Sequence, residues 1–368
     1  MYKRLMLLFG LSITAVIANH AIFWSLNVQH VWAEPLPLRP LWGGVSINIV
    51  FTGFLIAVKK LCTFCVPAFL FASGYFAAYS NRKPGAGSHL KTIGNRVLTL
   101  VGPYVLWSLL LFLINPFQEE TTPGKILARL LYGGAVPEYY FVPLLIQFTI
   151  LAPFLVGLAR NRPRLLLLAA AAMQLGVAGL SYLNVFWPVP YIGHILQINR
   201  TWSVFPTWAF FFPLGMVVNF HQASFQRSIH RNRFWLVAGA VIFGMLAVLE
   251  NEVFLLPNGV NWRDSALTLP TVLYALCMIG VFLAFETTRS ALAEPLFFLA
   301  NKTYTIYLIH PAVIALAMRV VDQWLFPILS FPYLFLLILA VLGLGVPVAI
   351  IQLARQFVSA SIYKYVFG

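Results

Sequence analysis

Long apolar runs, separated by short polar or basic punctuation, dominate this chain. A membrane-spanning helix needs about 20 consecutive apolar residues. Runs of about that length fall at residues 5–24, 61–79, 97–114, 139–158, 165–183, 204–220, 234–249, 267–285, 302–321 and 333–354. The pattern therefore predicts an all-α integral membrane protein, a polytopic bundle of about ten transmembrane helices. The stretch from Val45 to Val58 stops at Lys59-Lys60. It is too short to span and is expected to form an interfacial or re-entrant helix. Before it, the segment from Asn27 to Trp42 holds Pro35, Pro37 and Pro40 and reads as a loop.

Polar punctuation alternates in sign. Loops at 1–4, 80–96, 160–164, 221–233 and, weakly, 286–296 are basic. Those at 116–138 and 250–266, and the neighbourhood of Asp322, are acidic. Lys and Arg collect in cytoplasmic loops, so an even number of crossings puts both termini in the cytoplasm.

Composition removes the soluble classes. Apolar residues make up 61% of the 368 and charged residues 9%, against about a quarter charged in soluble domains. Mean hydropathy is +0.85. Such a chain fills one transmembrane domain, residues 1–368 with a core at about 5–354, and leaves no large soluble one. The net charge of +14 follows from the loop bias rather than from nucleic-acid binding, because no basic domain stands apart from the apolar runs. Cys62 and Cys65 form a C-x-x-C inside an apolar run and read as small apolar side chains. With Cys277 the count is odd, against a disulfide framework.

Ionisable groups inside hydrocarbon are expensive, so each is a functional candidate. Four places qualify. Asn19-His20 lies about 20 Å along the first span, past the midplane. Ser73-Gly74 ends the second span, where small residues also let helices approach closely. Arg96, with Lys91 before it and Tyr104 and Trp107 after it, marks the cytoplasmic mouth of the third. Tyr307 and His310 share one face of the ninth, and His310 is expected about 10 Å in from the cytoplasm. Two histidines at different depths suit a polar passage across the bilayer. The histidines do not cluster with carboxylates at ligand spacing, so no metal is expected.

The order of these motifs resembles the membrane-bound acyltransferase-3 family, whose members include O-acetyltransferases. The resemblance rests on His20, Val66-Pro67-Ala68-Phe69-Leu70-Phe71-Ala72-Ser73-Gly74-Tyr75-Phe76 and Arg96…Pro103-Tyr104…Trp107. It continues in Tyr140-Phe141-Val142-Pro143…Gln147, Phe212-Pro213-Leu214-Gly215-Met216 and Tyr304…Tyr307-Leu308-Ile309-His310. It implies an enzyme of the cell membrane that moves an acyl group, acetyl by default, from acyl-CoA on the cytoplasmic side. The acceptor it implies is a hydroxyl of a sugar, polysaccharide or lipid-linked molecule. His20 matches the family's catalytic histidine, as general base or as an acyl-histidine nucleophile. Asn19, Tyr307, His310 and Ser73 are its candidate helpers. Arg96, Lys91, Tyr104 and Trp107 are candidate contacts for the donor. Phe9 and Thr99 stand where many members carry arginine. A transporter or flippase is the alternative from another class, although the two related halves common in transporters are absent. A catalytically dead scaffold on the same fold is a third.

Overall fold

The computed structural model describes residues 1–31, 47–80, 89–114, 122–202, 204–255, 267–285 and 291–367. Expected loop charges at Arg82, Lys83, Glu119, Glu120 and Asp264 lie outside these residues, as does the side chain of Lys91. Among the described residues the chain is helical throughout, with no strand.

The helices are α1 (Tyr2–Val31), α2 (Ile47–Cys62), α3 (Cys65–Ser80), α4 (His89–Ile114), α5 (Pro123–Tyr132), α6 (Phe141–Asn161), α7 (Pro163–Phe186) and α8 (Pro190–Trp202). There follow α9 (Phe211–Phe220), α10 (Gln222–Arg231), α11 (Arg233–Leu249), α12 (Leu269–Ala284), α13 (Ala293–Ala300), α14 (Thr303–Trp324), α15 (Pro332–Phe357) and α16 (Ala360–Phe367).

Eight segments are long and apolar enough to cross a membrane: Tyr2–Leu26, Val50–Ser80, Ile93–Ile114, Pro137–Asn161, Pro163–Phe186, Arg233–Val253, Thr303–Trp324 and Pro332–Phe357. The sixth and eighth expected spans are instead the shorter apolar helices α9 and α12, of 10 and 16 residues. The expected interfacial or re-entrant stretch falls largely in α2, and the expected second span in α3. α2 runs on into α3 within the single segment Val50–Ser80, interrupted at Thr63 and Phe64. Pro67 has no N–H to give the Thr63 carbonyl, so the helix breaks there. The Thr63 hydroxyl and N–H turn back onto the Lys60 carbonyl, at 2.6 and 3.2 Å.

Small residues decide which helices lie at the centre. A Cβ on Gly74 of α3 would stand 2.0 Å from the Phe212 carbonyl oxygen of α9, and one on Gly215 would stand 1.8 Å from that of Phe71. A Cβ on Gly10 of α1 would meet the Leu296 carbonyl oxygen of α13 at 2.1 Å. Only glycine permits these approaches, and close backbone packing drives helix association in lipid. The Ser-Gly pair and the Phe-Pro-Leu-Gly motif are thus two sides of one contact. Arg4 secures the base of α1 by donating to the Leu283 carbonyl at 2.6 Å, one of the unsatisfied carbonyls that end α12. Around this centre α7, α11 and α15 turn Leu168, Trp235 and Val341 outward, the surface that lipid covers.

Candidate active site

His20 sits 18 residues past the start of α1, about 27 Å along the helix. Its Nδ1 lies 3.2 Å from Oε1 of Glu138. Glu138 belongs to a single 3-10 turn, Pro137–Tyr140, that leads into α6. Its side chain is 5% exposed and that of His20 is 20% exposed. Sequence reasoning assigned Glu138 to an acidic loop; the structure corrects this and buries it in the bundle. The span begins at Pro137 rather than Tyr139, because proline suits a first helical position and an acid suits a first turn.

Three devices hold Glu138. Gly133 ends α5 with φ +83°, and a Cβ there would stand 2.7 Å from the Tyr139 backbone, so the chain turns tightly ahead of it. The Tyr307 hydroxyl donates to the Glu138 carbonyl. The Tyr139 hydroxyl donates to the Leu308 carbonyl at 2.5 Å. Each tyrosine ties the turn to α14.

His310 is fully buried, and its ring stacks on His20 with centroids 5.3 Å apart and planes 28° apart. The two histidines therefore lie side by side, which corrects the expectation of different depths. α14 starts inside the bundle, not at its surface. It follows α13, and α13 packs at Gly10, already about 12 Å up α1. Nδ1 of His310 donates to the Ile306 carbonyl at 3.2 Å, and its Nε2 has no hydrogen-bond partner.

A cavity of about 290 Å³ opens beside His20, Asn19, Thr63, Glu138 and Tyr140. Its polar groups are fixed from behind. Asn19 Nδ2 donates to the Lys59 carbonyl at 3.0 Å, and Tyr140 stacks on Trp208 at 6.2 Å. Phe141 and Tyr307 separate this cavity from a second of about 220 Å³, which holds Ser73, Phe9 and Asn301. Phe9, Ser73 and Leu145 also wall a third, of about 220 Å³, where Arg96 and Thr149 appear. These two, with Leu145, continue into a fourth of about 420 Å³ beside Asn95 and Thr99. Adjoining cavities thus step from Arg96 to His20. At Phe9 the walls are aromatic, stacked on Phe76 at 5.9 Å.

The structure brings Asn19, His20, Tyr307 and His310 together and puts Ser73 beyond the Phe141–Tyr307 partition. Tyr104 and Trp107 line none of the cavities described. Their polar atoms serve the fold: the Tyr104 hydroxyl donates to the Leu130 carbonyl at 2.7 Å and Trp107 Nε1 to that of Val366 at 3.0 Å. Among the described residues no three metal-ligating side chains meet. Glu138 is the residue that sequence reasoning missed. Its signal was a Pro-Glu pair directly before an apolar span, where a helix N-terminus favours a carboxylate.

This is a histidine–carboxylate pair at a cavity with a stepped approach, an arrangement suited to proton transfer. No curated protein and no solved structure matches the chain. A family model described as an acyltransferase domain matches residues 5–351, which include every element of the cavity series. The chain therefore belongs to the acyltransferase-3 family, and it is a membrane acyltransferase that moves groups other than amino-acyl groups.

Proposed function

We propose that the protein transfers an acetyl group from acetyl-CoA, supplied at the Arg96 end, to a hydroxyl of a sugar, polysaccharide or lipid-linked acceptor at the His20 end. The Arg96 end faces the cytoplasm of a cell membrane, in keeping with the basic loops at 160–164 and 221–233. The observation that carries the proposal is the His20–Glu138 contact on a cavity that adjoins a path to Arg96.

Arg96 offers a planar donor set for the phosphates of the donor, with Lys91 on the same helix. The pantetheine arm follows the cavities past Phe9 and Ser73 to the partition of Phe141 and Tyr307. The ionised Glu138 accepts from Nδ1–H of His20, which leaves the lone pair on Nε2. Nε2 takes the proton of the acceptor hydroxyl as its oxygen attacks the thioester carbonyl. The carbon–sulfur bond breaks, the thiolate of CoA leaves, and the imidazolium returns the proton to it. Glu138 stabilises that imidazolium, as the carboxylate of a serine-protease triad does. Asn19 has a second amide hydrogen to offer the tetrahedral oxyanion. Tyr307, whose hydroxyl is spent on Glu138, and His310, packed on His20, act as positioning residues.

The test is CoA release from acetyl-CoA by the full chain in lipid nanodiscs. His20→Ala lowers it by about 10²–10⁴-fold with insertion intact; full activity in that variant overturns the mechanism.

A further inference from the structure

The acyl-transfer reading gives Tyr307 a task and leaves its neighbour Phe141 without one. These two residues are common to the walls of the His20 cavity, of about 290 Å³, and of the donor-side cavity, of about 220 Å³. A donor that enters past Arg96 leads with its acyl group. That group therefore meets the two rings before it meets His20.

The rings differ in their freedom to yield. Tyr307 is 7% exposed, and its hydroxyl donates to the Glu138 carbonyl. Its ring packs on Tyr139 and His310, with centroids 6.1 and 5.9 Å away. Turning it breaks a buried hydrogen bond and unseats Glu138. Phe141 has no polar atom to satisfy. Its ring meets Tyr307 edge-on at 5.8 Å and Phe69 at 5.9 Å. A ring in a close-packed interior has nowhere to turn, but Phe141 has a cavity on either side. Its backbone stays fixed, because Phe141 opens α6 directly after the turn that carries Glu138. The side chain alone swings, between staggered positions.

We propose that Phe141 is the specificity-determining residue for the acyl group: its ring lets acetyl pass to His20 and turns longer chains back. An acetyl group presents one methyl to the partition. Each further methylene has to be fitted between the rings, and one methylene in a tight apolar site is worth about 10–200-fold in kcat/KM.

The proposal rests on the acyl-transfer reading, and the experiment separates the two. CoA release by the full chain in lipid nanodiscs is measured with acetyl-, butyryl- and octanoyl-CoA. The wild-type chain is expected to prefer acetyl-CoA to butyryl-CoA by at least about tenfold in kcat/KM. Phe141→Ala raises the butyryl-to-acetyl ratio about tenfold, Phe141→Leu raises it less, and Phe141→Trp lowers it. Val66→Ala, which widens the His20 cavity away from the partition, leaves the ratio as it is. Equal wild-type kcat/KM for all three donors overturns the filter and needs no variant. A fall with every donor alike in Phe141→Ala and Phe141→Leu overturns it too, since a ring that only packs lowers all rates together. A ratio that moves in Val66→Ala and not in Phe141→Ala also overturns it. CoA release from acetyl-CoA with a ratio unmoved at Phe141 leaves the acyl-CoA reading standing and removes the filter alone. Wild-type release from none of the three donors removes the reading, and the filter falls with it.

Discussion

The inner helices α1, α3, α9 and α14 and the outer helices α7, α11 and α15 are built from similarly apolar sequence yet do opposite work. On α3, eleven of sixteen residues are buried, from Cys65 to Ala78; on α7 only Leu166, Ala170 and Gln174 are buried. The inner set packs backbone to backbone through Gly10, Gly74 and Gly215. At Gly157, Gly176 and Gly179, on α6 and α7, an added Cβ would meet nothing within 4 Å. The ionisable groups of the site follow the same division: His20 and His310 lie on inner helices, and Glu138 is clamped to one. On the outer set the Tyr182 hydroxyl of α7 instead pairs with the Glu250 carboxylate that follows α11, since a lipid-facing surface offers no partner of its own. Close packing at the centre is therefore what permits chemistry inside the bilayer.

That contrast can be broken at its strongest point first. Glu138→Gln keeps the shape of the side chain and removes the charge that orients His20. It is expected to lower CoA release by about 10²-fold or more. Added to His20→Ala it costs nothing further, since groups that act as a unit are not additive; a double-mutant cycle on CoA release checks both. Next, Gly74→Leu drives a side chain into the Phe212 carbonyl and destabilises the bundle by about 1–3 kcal/mol or more. Gly179→Leu on α7 does not, and thermal unfolding in detergent separates the two.

His310→Phe sharpens the division from within. A buried polar atom without a partner costs about 1–3 kcal/mol, so phenylalanine, which keeps the stacked ring and drops the orphaned Nε2, is expected to raise the unfolding temperature. If that nitrogen positions His20, CoA release falls about tenfold in the same variant; the pair of readouts distinguishes a positioning role from packing. The smallest effect belongs to the outer set. Val341→Ala, at a site 59% exposed, should change both stability and activity by less than about 0.5 kcal/mol.

Much of this division is legible in the chain itself. The length of each apolar run identifies the long spans, and His20 stands out because an imidazole inside such a run demands a reason. Gly74 and Gly215 stand in recognisable motifs, although their mutual contact is not readable from either. The misses share one cause. α9 and α12 read as full spans because hydropathy windows blur the proline and aromatic turns at their edges. Glu138 read as a loop acid because it stands just outside an apolar run. For Tyr104 and Trp107, expected as donor contacts, sequence order does not foretell that their polar atoms bond the Leu130 and Val366 carbonyls.

The sequence by itself determined that this protein lives in a bilayer as helices, since no other backbone arrangement of these residues satisfies its own hydrogen bonds there apart from a closed barrel. It also determined the family, through motifs spread over residues 5–351. Only the tertiary structure decided that Glu138 meets His20 and that His310 stacks on the same ring. Those pairings join residues far apart in the chain, and no periodicity encodes them. They follow from where glycines let backbones touch and where Pro67 breaks a helix, and so from packing in three dimensions.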